Sequence, residues 1–308
     1  MNSLTLLRLH VTIGLLNDAH LPPYKGSSLR GAIGHGMRAL TCSTKTADCA
    51  GCGRIPDCPF TRLFKPDQMP GRSIPASYVI DPPALRETRF MRGDRLAFTL
   101  TLFGDAADCV ATWINAMKVA GARFGLGENR ARFEVIRVEA ENPAGGTAPV
   151  PEDGACARSE SLPGFSLAEA IAYFALHPAR NAAVQILTPL KFKDKGSVIN
   201  DLTAPLFFET LFRRLKSLSY FYAPDAPLPE YNPDFSHVTM ESKSLRWVVL
   251  ERKSMNHPTA INLGGFIGSF TLSNLSPELA AFLWFGQYTH LGKNTVYGCG
   301  KYRVELRS

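Results

Sequence analysis

One order of elements occurs twice in this chain, and it limits what the chain can fold into. Near the C-terminus, Ser276-Pro277-Glu278 opens an apolar segment that runs to Gln287-Tyr288-Thr289-His290. The glycine-punctuated loop 291–300 follows, and then the strand-like Lys301-Tyr302-Arg303-Val304-Glu305-Leu306. Earlier, Asp108 to Ala120 reads as a helix, Gly121 to Arg130 as a basic glycine loop and Arg132 to Val138 as a strand. Helix, basic glycine loop and closing strand, twice over, predict a duplicated domain. Glycines in such loops let main-chain amides come close to a phosphate backbone.

The remaining segments fill in the same plan. The first half reads as strand 4–13, helix 27–40, a cysteine-rich insertion at 41–60, strands 76–81 and 94–103, helix 106–120 and strand 131–139. Leu7, Leu9, Val11 and Ile13 alternate with Arg8, His10 and Thr12, the period of a half-buried strand and not of a signal peptide. Residues 141–164 carry Pro, Gly, Ser and acidic residues without period and read as a linker, and 165–177 as a short helix. The second half reads as strand 182–190, helix 205–222, strands 245–251 and 265–272, helix 277–288 and strand 300–306. Phe208, Leu211, Phe212, Leu215 and Leu218 take 3-and-4 spacing in the longer helix. The expected fold class is α+β: tandem ferredoxin-like βαββαβ domains at 1–140 and 165–308, with a small metal-binding insertion at 41–60.

Charge narrows the partner. The formal net charge is +7. Residues 1–103 hold 13 Lys and Arg against 7 Asp and Glu, 104–180 hold 7 against 10, and 181–308 hold 14 against 10. The two ends therefore suit an anionic partner and the middle does not. Apolar runs are too short to cross a bilayer, which predicts a cytoplasmic protein without a membrane partner.

Cys42, Cys49, Cys52 and Cys58 lie within 17 residues. In a cytoplasmic chain this spacing predicts a metal site, with four thiolates for structural Zn²⁺. The rival is an iron–sulfur cluster, because Cys58-Pro59 closes the motif. Such a site leaves no open position for catalysis.

On helix 27–40, Leu29, Ile33, Met37 and Leu40 share one stripe. His35 lies more than about 150° round from its middle, beside Ser28, Gly31 and Arg38. Gly31, Gly34 and Gly36 each cost the helix about 1 kcal/mol relative to Ala, which calls for a close backbone or a ligand. No acidic cluster has two-metal nuclease spacing, and no phosphate-binding or serine-elbow motif occurs. If the chain cuts RNA, the chemistry open to it is attack by a ribose 2′-OH with general acid–base help, which a histidine suits.

The run Leu21-Pro22-Pro23-Tyr24-Lys25-Gly26-Ser27-Ser28-Leu29-Arg30-Gly31-Ala32-Ile33-Gly34-His35-Gly36-Met37-Arg38, the knuckle ending Cys58-Pro59-Phe60, and the loop from Gly292 to Gly298 and Gly300 resemble the CRISPR-associated protein six family, RAMP endoribonucleases that cut precursor CRISPR RNA. The resemblance implies a repeat-RNA substrate, cleavage without catalytic metal, a 2′,3′-cyclic phosphate product, and association with other CRISPR effector subunits. It maps a catalytic histidine onto His35, with Tyr24 and Arg38 assisting. Expected RNA contacts are Lys293 and Asn294 with Gly292, Gly298 and Gly300, then Arg123 and Arg130, then Lys243, Arg246, Arg252 and Lys253. Lys25, Arg30 and His290 complete the set. The alternatives are a catalytically inactive RAMP subunit that binds crRNA in an effector complex and, less supported, a zinc-bearing DNA-binding regulator.

Overall fold

The computed structural model describes residues 3–44, 49, 51–69, 71, 73–143, 145–151, 162–194, 197–225, 228, 233–254 and 257–307, with the backbone alone at 194, 252–254 and 257–261. The chain divides into two compact units. One is Thr5–Phe165; the other is Ser166–Ser308 together with Met1–Leu4. Among the described residues, no helix is long and apolar enough to cross a membrane.

In the first unit, β1 (Thr5–Leu15), β2 (Tyr78–Asp81), β3 (Arg95–Phe103), β4 (Phe133–Glu141) and β5 (Thr147–Pro149) form a sheet in the order β2-β3-β1-β4-β5, every neighbouring pair antiparallel. The alternation of β1 does what its period requires. Leu7, Leu9, Val11 and Ile13 are buried, and Arg8, His10 and Thr12 between them are half-buried. Helix α1 (Gly26–Thr41) connects β1 to β2, and α3 (Val110–Val119) connects β3 to β4. Short helix α2 (Pro59–Phe64) feeds Phe64 into an aromatic cluster, 5.1 Å from the Tyr78 ring, which is 4.9 Å from Trp113.

Two local expectations change. The predicted helix 106–120 is a 3-10 segment (Gly104–Cys109), then α3, then a π turn over Ala120–Phe124. The backbone at Gly121 passes so close to β4 that a Cβ there would stand 2.0 Å from the Phe133 carbonyl oxygen, and the helix loosens by one residue where it meets the strand. The predicted linker also contributes β5 to the sheet, and its residues 152–161 lie outside the described set.

The second unit repeats the topology. Strands β6 (Asn181–Leu190), β7 (Thr239–Val248), β10 (Gly265–Ser273) and β11 (Tyr302–Arg307) run β7-β10-β6-β11, again all antiparallel, with hairpin β8 (Glu251–Ser254) and β9 (His257–Asn262) inserted after β7. In both units the order is second, third, first, fourth, so the two are tandem ferredoxin-like folds. Helices α4 (Leu167–Leu176), α5 (Ala204–Tyr222) and α6 (Pro277–Gly286) begin at Ser166, Thr203 and Ser276, whose side-chain oxygens each accept from an amide of the first turn. Phe207, Phe270 and Tyr302 join α5 to the sheet. The strand predicted at 245–251 begins at Thr239 instead. A register shift at Ser242 (φ 47°) interrupts its alternation and hides the first half from a period-2 reading.

Candidate functional site

Helix α1 is built to pass close to other backbone. A Cβ on Gly36 would lie 2.0 Å from the Ala116 carbonyl oxygen of α3, and one on Gly34 would lie 2.5 Å from the Phe64 ring. Gly31 faces open space, with nothing within 4 Å. The glycines that weaken the helix thus serve packing at two positions of three. Leu29, Ile33 and Met37 are buried as their stripe predicts, whereas Leu40 is exposed.

His35 sits between the two packing glycines and is itself exposed. Its ring stacks on Phe124 of the π turn, centroids 5.4 Å apart and planes 24° from parallel. Partial burial against this ring lowers its pKa below 6.5, and the charges of Arg130 and Arg38 lower it further. The imidazole is therefore neutral at neutral pH and stands beside two cations. Arg38 lies over Phe60, its guanidinium carbon 5.9 Å from the ring centre, and Arg30 lies over Phe64 at 5.1 Å. Tyr24 precedes the helix. At about 1.5 Å per residue the nine steps from Gly26 to His35 span about 13 Å, so Tyr24, before the start of α1, lies well away from His35 along the helix axis.

The loop after the π turn folds upon itself. Leu126 and Ala131 exchange two backbone hydrogen bonds of 2.8 Å, and the Gly125 amide closes onto the Ala120 carbonyl at 2.8 Å. Gly125 (φ 73°) has no room for a side chain, since a Cβ would meet the Arg130 carbonyl oxygen at 2.1 Å. The amides of Gly125, Leu126, Arg130 and Ala131 are spent within this segment and that of Glu128 on the His20 carbonyl, and its exposed residues include Arg123 and Arg130 beside Glu128 and Asn129. Arg130 itself takes φ 51°.

Several predicted RNA contacts are corrected. Lys25 is 1% exposed, and its ammonium donates to the carbonyls of Leu85 (2.7 Å), Glu87 (2.9 Å), Pro23 (3.2 Å) and Pro22 (3.4 Å) above the Phe90 ring. It staples two loops, and its ammonium is turned inward onto these carbonyls. Burial pushes its pKa down, opposed by Glu87. His290 is 2% exposed, with Nδ1 3.1 Å from the Cys299 carbonyl oxygen. Gly298 and Gly300 are buried, their amides donating to Thr295 and Pro189 carbonyls, so neither amide is open to phosphate. A Cβ on Gly300 would stand 1.8 Å from the Leu291 carbonyl oxygen, and this glycine exists to let the loop close. Exposed at its rim is Lys293, next to half-buried Gly292 and Asn294, the latter at φ 66°. Lys243 is paired with Asp201 at 2.6 Å, and Arg246 is exposed on edge strand β7. The side chains of Arg252 and Lys253 lie outside the described residues.

Arg8 and His10, the half-buried polar positions of β1, both turn to Glu141: Arg8 Nε and His10 Nε2 each stand 2.8 Å from Glu141 Oε2. Nothing in a local window pairs residues 8 and 10 with residue 141. Phe124 was equally invisible as a partner of His35, because the register of the π turn decides it.

Among the described residues, no three His, Cys, Asp or Glu side chains stand close enough together to hold an ion as they are. Cys42, Cys49, Cys52 and Cys58 nevertheless line one cavity.

Two family models match the chain. One, AF_1859_N, described as an N-terminal domain, matches residues 4–162. The other, CRISPR-associated endoribonuclease Cas6, matches residues 184–302. The chain belongs to the AF_1859_N family, and the match to the Cas6 model falls within its second unit. No curated protein matches it. Among solved structures, a partial Cas6-RT-Cas1--Cas2 complex contains a chain that is similar over 99% of this one at 15% identity and a TM-score of 0.62. The present chain spans 46% of that protein's length. A Cas6 (TTHB231) product complex is similar over 99% of this chain and 100% of its own at 17% identity and a TM-score of 0.55. Thermus thermophilus Cas6 (TTHB231) covers 98% and 99% at 15% identity and a TM-score of 0.54. At such identities the likeness is one of fold. It agrees with the Cas6 match and the duplicated ferredoxin-like topology.

Proposed function

We propose that this chain is an endoribonuclease that cuts CRISPR repeat RNA without a catalytic metal and releases mature crRNA. In this reading neutral His35 takes the proton of a ribose 2′-OH, the 2′-oxygen attacks the adjacent phosphorus, and the bond to the 5′-oxygen breaks. The leaving oxygen collects a proton, and a 2′,3′-cyclic phosphate remains. Arg38 and Arg130 offset the negative charge that grows on the phosphorane oxygens. Tyr24, just before the start of α1, is assigned to positioning the strand. Arg123, Lys293, Asn294 and Arg246 supply the salt-dependent grip on the phosphates. Repeat RNA and crRNA are the proposed ligands, and other CRISPR proteins the proposed assembly partners, as in the complexes named for the similar structures.

The observation that carries the reading is the setting of His35: solvent-accessible, stacked on Phe124, and with its pKa lowered by partial desolvation and by the charges of Arg130 and Arg38. A histidine that is merely a wet surface residue has no such partners. The test is cleavage of the cognate repeat RNA in EDTA. The wild type is expected to cut, and His35→Ala to lose on the order of 10²–10⁴-fold in rate while still binding RNA. Equal cutting by the mutant would remove His35 from the chemistry. Tight RNA binding without cutting by the wild type would establish the silent RAMP subunit instead.

A further inference from the structure

The insertion between α1 and α2 brings together chemistry that the cleavage reading does not use. Cys42 is the residue at which α1 ends, its amide still bonded to the Arg38 carbonyl at 2.9 Å. Cys58 is the residue from which α2 starts, and Pro59 occupies the first helical position. Between them Cys49 and Cys52 close a turn, the Cys52 amide donating to the Cys49 carbonyl at 3.0 Å. Gly51 inside that turn has φ 74°, a conformation that few side chains tolerate. All four cysteines are half-buried, and the six described cysteines form no disulfide. Thr44 Oγ1 lies 3.6 Å from Cys42 Sγ and 3.9 Å from Cys52 Sγ, so the two sides of the insertion already meet.

All four side chains line one cavity of about 30 Å³, together with Arg54, Phe60 and Thr61. That volume suits a single water-sized guest. Four soft donors lining one small cavity fit a closed tetrahedral thiolate site. No three of the sulfurs stand within coordinating reach of a common point in this arrangement. Binding is the step that draws them in, because ligation couples to local folding.

We propose that Cys42, Cys49, Cys52 and Cys58 bind one Zn²⁺ as four thiolates. On binding, the four thiols release their protons to solvent, and the site takes a charge of −2 that Arg54 at the cavity wall partly offsets. No redox step is involved. The ion ties the end of α1 to the start of α2. Two contacts of the cleavage region run across that junction: Arg38 over Phe60, and Gly34 against Phe64. The metal thus acts as a clamp at the base of the helix that carries His35. It does not touch substrate. The proposal stands apart from the RNA-cleavage reading, since the metal can be assayed without any RNA.

The test uses untagged full-length protein purified without added metal. Elemental analysis is expected to give one zinc per chain. X-ray absorption at the zinc edge is expected to give four sulfurs at about 2.3 Å. Cys52→Ser should release zinc to a chelator at least tenfold more readily, whereas Cys109→Ser, outside the cavity, should behave as wild type. If Cys52→Ser fails to fold, metal content and sulfur coordination of the wild type still decide. Absence of metal, iron with inorganic sulfide, fewer than four sulfur neighbours, or undiminished zinc retention by Cys52→Ser would each overturn the assignment.

Discussion

The imidazole of His35 lies nearly parallel to the phenyl ring of Phe124, the two centres 5.4 Å apart. One comes from the middle of α1 and the other from the π turn that ends the second helical segment of the same unit. The stack fixes the plane of the imidazole and covers one of its faces. Arg130 and Arg38 are near enough to act on its charge. This is a physical basis for a histidine whose neutral form is favoured among positive charges.

A pH prediction follows from those charges. Burial, then Arg130, then Arg38 hold the His35 pKa below 6.5. Since the folded value lies below the unfolded one, the contribution to stability is complete above about pH 6.5 and is lost as pH falls through the folded value. Replacing Arg130 by Ala removes one lowering influence. The His35 resonance in an NMR titration should then move to higher pKa, and the acid limb of the cleavage profile should shift upward with it. An unmoved titration in Arg130→Ala would show that the guanidinium does not act on the ring.

The two glycines flanking His35 differ from Gly31 in a way that melting experiments can read. Gly36→Ala pushes a methyl group against the Ala116 carbonyl oxygen, which no rotamer relieves. The expected net loss is about 1–3 kcal/mol, overpacking outweighing the gain in helix propensity. Gly31→Ala meets nothing and should stabilise by up to about 1 kcal/mol. Denaturant unfolding of the pair, run side by side, checks both signs. Equal effects would mean that α1 and α3 are not in close contact.

Lysines at the two predicted contact sites should separate in salt titrations of RNA binding. Lys293 is exposed at the rim of the terminal loop, and Lys293→Ala should reduce the slope of log affinity against log salt by about 0.7, the share of one phosphate contact on single-stranded RNA. Lys25→Met should leave that slope unchanged in the folded fraction. It should instead destabilise the protein by about 2 kcal/mol or more, because the carbonyls of Leu85 and Glu87 lose their donor. A reduced salt slope in Lys25→Met would restore this residue to the RNA surface.

These contrasts show what the sequence carried. Periodicity recovered β1, the 3-and-4 face of α5 and the duplicated strand order, because each is written within a window of ten to twenty residues. Phe208, Leu211, Phe212, Leu215 and Leu218 are all buried as their spacing predicted. The exposure of His35 opposite the buried stripe was legible for the same reason. Lys25 was misread because its partners at Leu85 and Glu87 lie about sixty residues away, and in a local window it looked like one more basic loop residue. The glycine loops were found correctly by their composition but misassigned in purpose. Positive φ at Gly125 and Gly300 serves the loop's own closure, and sequence alone does not distinguish self-packing from an approaching ligand.

The ion cluster on the first sheet supplies the last prediction. Burial on its own would raise the Glu141 pKa. The bonds from His10 and Arg8 overcome it and bring the carboxyl down to about 2 from 4.5. With the folded value depressed, the stabilisation is present above the unfolded pKa and fades as pH falls from about 4.5 toward 2. At about 1.4 kcal/mol per unit, the shift bounds this contribution at about 3 kcal/mol. Glu141→Gln keeps the shape of the side chain and removes the charge that Arg8 and His10 share. Thermal unfolding should show the mutant clearly less stable at pH 6, with the gap narrowing through pH 4 and nearly closed at pH 2. A gap that persists unchanged at pH 2 would mean that Glu141 stabilises the sheet through packing alone and that its ion pairs contribute nothing.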